Sequence, residues 1–417
     1  MIINLIIMNF NRLKINNMAF KPANKLEDLQ QFGEFGGINP SISDSTTYTF
    51  LTAKSMQDTF EGKTEGCYLY SRHTSPSNLN LSEALAAMEG TETAQVFASG
   101  MAAISSTLLQ LCNAGDHILS SRTIYGGTYA FLKHFSPKFK IETTFVDITA
   151  LDRVEAAITP NTKVLYCECV SNPLLEVANI EGLARLAKKY NLKLVVDNTF
   201  SPLSMSPALL GADVVLHSLT KFINGSSDTV GGVVCSSEDF INQLKDINSG
   251  ASMLLGATMD SMRAASILKN IRTLHIRMQQ HSKNAMYLAE KLEANGLKTV
   301  YPGLSSHPEH KLYKSMMNTQ YGFGGILTVD VGTHDKANAL MELMQTNNIG
   351  YLAVSLGFYK TLFSAPGSST SSEIPEAEQK EMGLSQGIIR FSIGLDADIE
   401  RTYRIMHDCM VQLEILK

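Results

Sequence analysis

No sign of charge dominates this 417-residue chain: 35 Lys and Arg stand against 40 Asp and Glu, for a net charge of −5. That balance gives no electrostatic reason to expect nucleic acid or an anionic membrane as partner, and an anionic ligand would have to be held locally. A disulfide framework is also missing. The six cysteines (Cys67, Cys112, Cys167, Cys169, Cys235, Cys409) are scattered. The one close pair, Cys167 and Cys169, lies in the apolar run KVLYCECV, where strand alternation puts both thiols on one face beside Val and Leu. Buried, reduced thiols follow, not a metal site, and with them a reducing, cytoplasmic compartment. Long apolar runs are absent too. The opening MIINLIIMNFNRLKINNMAF lacks a leading cationic region and a small-residue cleavage site, and its apolar part is too short to span a bilayer. An overlong gene start, with Met18 as the natural initiator, is an equal reading of residues 1–17. No internal repeat is present, and 44% hydrophobic with 18% charged residues excludes a disordered chain.

What is present suits two or three domains. Residues 1–74 are polar, with the Gly-rich EFGGINPS, and read as an N-terminal extension and arm without a core of its own. From there helices and short apolar runs alternate. LNLSEALAAMEG (79–90) and GMAAISSTLLQLCNAG (100–115) read as helices, the second capped by Gly115. HILSSR (117–122), KVLYCECV (163–170), LKLVVDNTF (192–200) and DVVLHSLTK (213–221) read as strands, with IEGLARLAKKYN (180–191) as a crossover helix. Continuously apolar strands joined by helices predict an α/β fold with a mainly parallel sheet covered on both faces. Ligands of such sheets collect beyond the carboxyl ends of the strands, where Asn172, Asp197, Ser218, Thr220 and Lys221 fall. A large domain over 75–271 is followed by a smaller C-terminal α/β domain over 272–417, with strands GGILTVDV (324–331) and GIIRFSIGL (387–395), a helix over 336–348, and loops at 301–312 and 364–376.

Five features carry chemistry. Lys221 closes an apolar strand at the cleft, where burial lowers an amine's pKa enough for imine chemistry; a snorkelling lysine is the plain alternative. Asp197 closes LKLVVD, where an unpaired carboxylate is costly and wants either a salt bridge or a cationic heterocycle. Ser99 and Gly100 open a helix, so free N–H groups and the helix dipole make an anion site there, or an ordinary N-cap. Tyr125, beside two glycines in RTIYGGTYAFL, suits stacking on a planar ring with its hydroxyl as an acid, or a place in the core. Arg390 sits in an otherwise apolar strand and suits bidentate carboxylate binding, or a structural ion pair. Together they describe a phosphate cradle, a ring clamp, a reactive lysine and a carboxylate fork.

The segments YSRHTSPSNLNLSEALAAMEG, ASGMAAISS, YGGTYAFL, VVDNTF, HSLTKFINGSSDTVGG, YPGLSSHPEHKL and IIRFSIGL resemble the Cys/Met metabolism family of pyridoxal phosphate enzymes, from about residue 33 to 410. That family includes cystathionine lyases and synthases, O-acetylhomoserine sulfhydrylases and methionine γ-lyases. The resemblance implies the type I, aspartate aminotransferase-like fold of PLP-dependent transferases and a homotetramer built of two active dimers. It implies Lys221 as the lysine that holds the cofactor aldehyde, Asp197 on the pyridine nitrogen and Tyr125 stacked on the ring. Ser99, Gly100, Met101, Ser218 and Thr220 would hold the phosphate, and Tyr70 and Arg72 the phosphate of the neighbouring subunit. Asn172 would contact the ring-hydroxyl side, and Arg390 with Ser355 the substrate carboxylate; no metal is called for. Within the family, SLGFYKTLFSAPGSSTSSE and LLGATMD (254–260) look like plant-type methionine γ-lyases. Val354 precedes Ser355 where cystathionine γ-lyases usually show a glutamate, which disfavours a substrate with a distal ammonium. Bacterial methionine γ-lyases carry a cysteine where Gly127 stands and Thr-His where Ser369 and Thr370 stand. The implied activity is α,γ-elimination of L-methionine, a sulfur amino acid. Cystathionine cleavage, γ-replacement on O-acetylhomoserine and, from another class, a non-catalytic cofactor-binding relative remain open.

Overall fold

The structure, a computed structural model, describes residues 20–369 and 374–416. The opening apolar segment with Met18, and Thr370, lie outside the described residues. Seven strands form the larger sheet: β1 (Thr93–Phe97), β2 (His117–Ser121), β3 (Glu142–Val146), β4 (Thr162–Glu168), β5 (Lys193–Asp197), β6 (Val214–Ser218) and β7 (Gly232–Ser236). Their spatial order is β1-β7-β6-β5-β4-β2-β3. The strands from β6 to β3 pair in parallel, and β7 runs antiparallel to both of its neighbours. Every residue of β2 and β7 is buried, as a sheet covered on both faces requires. The helix Ile180–Tyr190 makes the crossover from β4 to β5; it turns Ile180, Leu183 and Ala187 inward and is capped by Asn179, whose side chain accepts from the Gly182 N–H.

Several expectations are corrected. Strands β1, β3 and β7 were not foreseen. The second helix stops at Leu111, and Gly115, at φ +98°, belongs to the turn into β2. Strand β6 ends at Ser218, so Lys221 lies in the turn beyond the strand and does not close it. The arm is not wholly extended: it holds short helices Pro22–Glu27 and Ala53–Phe60. Ala23 joins the main core, while Phe35 and Leu51 are fully exposed. The 301–312 stretch is turns that give way to the helix His310–Met316.

The second sheet has the order β10-β11-β12-β9-β8, from β8 (Lys298–Val300), β9 (Ile326–Asp330), β10 (Gly350–Leu352), β11 (Thr361–Ser364) and β12 (Ile388–Ser392). All its pairings are antiparallel except β10 with β11. Leu327, Val329, Ile389 and Phe391 of this sheet share a core with Leu340 and Met344 of one helix and Met406 and Met410 of another. The helix Leu274–Ala294, 21 residues and so about 31 Å long, serves both cores. Leu274 and Met278 join the larger one, and Ala285, Leu288 and Leu292 the smaller. No helix among the described residues is long and apolar enough to cross a membrane.

Candidate active site

The parallel strands β4, β5 and β6 end side by side in Glu168, Asp197 and Ser218, and a cavity of ≈ 330 Å³ opens beyond them. Parallel strands all finish at one edge, so their last side chains converge there without special local signals. The cavity is closed further by Ser99–Met101, the turn at Thr220 and Lys221, Tyr125, the loop residues Val354 and Ser355 between β10 and β11, and Arg390 of β12. The site therefore lies between the two cores.

Lys221 follows β6 in a turn closed by its own N–H to Ser218 O at 3.3 Å and by Gly225 N–H to Lys221 O at 2.8 Å. Its Nζ donates to Ser355 Oγ at 2.9 Å. Burial, helped by the positive charge of Arg390, lowers the amine from the ordinary 10.5 to about 8. Such an amine is about a tenth neutral at pH 7, far more than an ordinary lysine, and is a usable nucleophile and base. Ser355 itself takes φ +95°, an uncommon conformation for a residue with a side chain, and one that marks this turn as constrained.

Asp197 is buried beneath the cavity. Its Oδ1 accepts from the Thr199 N–H at 2.8 Å, and Thr199 Oγ1 accepts in turn from the Ser218 N–H at 2.8 Å. Burial pushes the carboxyl upward, and the Thr199 bonds and the nearby His217 offset this only in part, as for an incompletely compensated buried anion. Arg390, 3% exposed, donates through Nη1 to Asn172 Oδ1 at 2.9 Å and through Nη2 to the Ser355 carbonyl at 3.2 Å. Its Nε has no partner, and no carboxylate pairs with it among the described residues. Burial lowers even this guanidinium to about 10.

Ser99 caps the helix Gly100–Leu111, its Oγ accepting from the Ala102 N–H at 3.0 Å. The Gly100 and Met101 N–H groups have no intrahelical acceptor, and both residues line the cavity. A Cβ on Gly100 would come within 2.8 Å of the Ser218 Cβ, so only glycine lets this helix end approach the turn after β6. Thr220 Oγ1 accepts from the Gly231 N–H at 3.0 Å, which holds the Gly-rich loop against the cradle. Tyr125 precedes the short helix Gly126–Ala130 and is half-exposed. A Cβ on Gly127 would lie 2.6 Å from the Tyr125 ring, so the glycine makes room for the tyrosine.

The structure brings Ser99, Gly100, Met101, Tyr125, Asn172, Asp197, Ser218, Thr220, Lys221, Ser355 and Arg390 to one cavity. It does not bring Tyr70 and Arg72 there: Arg72 Nη1 donates to Met253 O at 3.0 Å, and its guanidinium lies 5.7 Å from the Tyr70 ring centroid. Glu168, which also lines the cavity, was missed. The available signal was an acid inside the apolar run KVLYCECV, four residues before Asn172.

A model of the family described as Cys/Met metabolism PLP-dependent enzyme matches residues 24–409. A methionine γ-lyase of Arabidopsis thaliana is 46% identical over 379 residues, 89% of this chain and 86% of the relative. A cystathionine γ-lyase of Bacillus subtilis is 38% identical, covering 79% of this chain and 85% of its own. Among solved structures, an O-acetylhomoserine (thiol)-lyase described as putative, from Campylobacter jejuni and carrying a pyridoxyl-lysine phosphate, superposes with a TM-score of 0.87 at 28% identity, over 94% of this chain and 100% of that one. A cystathionine γ-lyase of Lactobacillus plantarum gives 0.85 at 29%, over 95% and 100%.

Proposed function

The chain belongs to the Cys/Met metabolism family of pyridoxal phosphate-dependent enzymes, and on that premise we propose that it is a methionine γ-lyase, converting L-methionine to methanethiol, 2-oxobutanoate and ammonia. The residues at the cavity suit the cofactor. The Gly100 cradle has no space for a Cβ, Asp197 is a buried carboxyl that His217 and the Thr199 bonds only partly offset, and the helix beginning at Gly100 presents free N–H groups to an anion. In this reading Ser99, Gly100, Met101, Ser218 and Thr220 hold the phosphate, Asp197 the proton at the ring nitrogen, and Lys221 the aldehyde. Tyr125 stacks on the ring, and Asn172 lies at its hydroxyl side.

When bound, pyridoxal phosphate supplies an aldehyde that captures amines and a ring that draws electrons from the substrate Cα. Arg390, with Ser355, binds and orients the substrate carboxylate through a guanidinium that keeps a free donor. The Lys221 amine, freed from the aldehyde when the substrate amine takes its place, then takes the Cα proton, and only after handing that proton on can it take one from Cβ. Tyr125 Oη gives a proton to the sulfur, and methanethiol leaves from Cγ. A water supplies the oxygen of 2-oxobutanoate as ammonia leaves. Each positioned proton transfer contributes about 10²–10⁴-fold.

One observation carries the reading: a buried amine, Lys221 Nζ, with its pKa lowered to about 8, shares a cavity with an underpaired Asp197 and the free donor of Arg390. Borohydride treatment of the coloured protein followed by peptide mapping tests it. The label is expected on Lys221; a label on another lysine, or none, refutes it. Substrate choice rests on Val354, which lines the cavity and offers no acid to a distal ammonium. Comparing 2-oxobutanoate and methanethiol from methionine, cystathionine, and O-acetylhomoserine with sulfide tests that part. The proposal extends to a homotetramer in which Tyr70 and Arg72 serve a neighbouring subunit, supported by their distance from this chain's own cavity and by exposed Phe35, Ile38, Leu51 and Phe60; sedimentation equilibrium reads it. Cytoplasmic placement belongs to the same proposal, supported by six free cysteines, five of them buried.

A further inference from the structure

We propose that Glu168 is a positioning residue for this reaction, a clamp that ties the loop of Tyr125 to the loop of Asn172 and so sets the aromatic ring and the carboxylate fork relative to each other. The inference rests on the cavity being the active site and gives a part to a residue that the mechanism above leaves idle.

Glu168 ends β4 and is the register partner of Asp197 on β5. Its Oε1 accepts from the Tyr125 N–H at 2.7 Å, and its Oε2 from the Asn172 N–H at 2.8 Å. The contacts continue from there. Arg390 Nη1 donates to Asn172 Oδ1 at 2.9 Å, Arg390 Nη2 reaches Ser355 O at 3.2 Å, and Lys221 Nζ donates to Ser355 Oγ at 2.9 Å. One carboxylate thus begins a chain that runs from Tyr125 to Lys221.

An ion pair, the plain use of a buried acid, is not made here: among the described residues no Lys or Arg pairs with Glu168. The acid is costly where it stands. Burial and the neighbouring Asp197 push its carboxyl up to about 8, while the two N–H bonds and the charge of Arg390 act the other way. An apolar residue would fill β4 without that desolvation penalty, but it would leave the Tyr125 and Asn172 N–H groups without their acceptors. The local structure offers no substitute, since Tyr125 and Asn172 both lie outside helix and strand ladders.

Hydrogen exchange on the full chain, with and without pyridoxal phosphate, reads the clamp. In the wild type the Tyr125 and Asn172 amides should exchange slowly; rapid exchange of both overturns the proposal without any variant. Glu168→Gln keeps the shape but offers a single acceptor oxygen. Exchange should then rise at 122–130 and 170–174 and stay unchanged in β5. A rise of equal size in β5 means that Glu168 merely holds the fold, and overturns the proposal. Glu168→Asp, one methylene shorter, should give the same local pattern. In the holoenzyme, kcat for methanethiol release by Glu168→Gln should fall by about 10²-fold, the scale for a group misplaced by an ångström, with a smaller rise in KM as the fork loosens; a loss confined to KM overturns the proposal. Should the wild type release no methanethiol, the functional reading fails, while exchange in the cofactor-free chain still decides the clamp.

Discussion

Replacing Lys221 with methionine should abolish turnover and at the same time stabilise the cofactor-free chain. The amine is held at about 8 in the fold against an ordinary 10.5. A depressed lysine pKa means that the folded chain binds the proton less well than the unfolded chain. Between those two values the unfolded state therefore carries more protons, and stability rises with pH. Below pH 8 the penalty is fully present. The gap corresponds to on the order of 3 kcal/mol at 1.36 kcal/mol per pKa unit. Methionine, of similar length and without charge, removes that penalty but loses the bond to Ser355 Oγ, worth about 1 kcal/mol. The net expectation is a stabilisation of about 2 kcal/mol at pH 7 that fades toward pH 10.5. Thermal unfolding of cofactor-free wild type and Lys221→Met at pH 7 and pH 10 measures it: the variant should melt a few degrees higher at pH 7, and the difference should shrink at pH 10. A variant equally stable or less stable at pH 7 would mean that the amine is not held near neutrality, and the reasoning about its role as nucleophile and base fails with it.

Further outcomes follow from the same geometry. Tyr125→Phe should lower kcat for methanethiol by about 10²–10⁴-fold with KM little changed, as steady-state assays with methionine will show. Arg390→Lys removes the planar fork and should raise KM by about tenfold or more, since one charge-assisted hydrogen bond is worth roughly 1.5–3 kcal/mol; substrate-induced absorbance changes give the matching Kd. Gly100→Ala places a Cβ 2.8 Å from the Ser218 Cβ and should weaken pyridoxal phosphate binding, measured by fluorescence titration of the cofactor-free chain; unchanged affinity would place the phosphate elsewhere.

Much of the molecule was legible in the residues because its sheet is parallel and buried. Strands such as KVLYCECV and DVVLHSLTK announce themselves as unbroken apolar runs, and their shared direction sends Asp197 and Ser218 to one edge. Glu168 escaped notice because nothing along the chain says that its two oxygens meet the N–H groups of Tyr125 and Asn172; that pairing joins stretches 43 residues apart.

The sequence by itself determined the chemistry: which side chains can form an imine, hold a phosphate or fork a carboxylate, and through its segment-by-segment likeness, the family. Only the tertiary structure decided their arrangement. It places Lys221 in a turn after β6, lowers its amine by burial, and brings Arg390 of the second sheet and Ser355, from the loop after β10, across to it. It also shows Tyr70 and Arg72 away from this chain's own cavity. Desolvation and approach between distant segments are properties of packing, and no local pattern of residues encodes them.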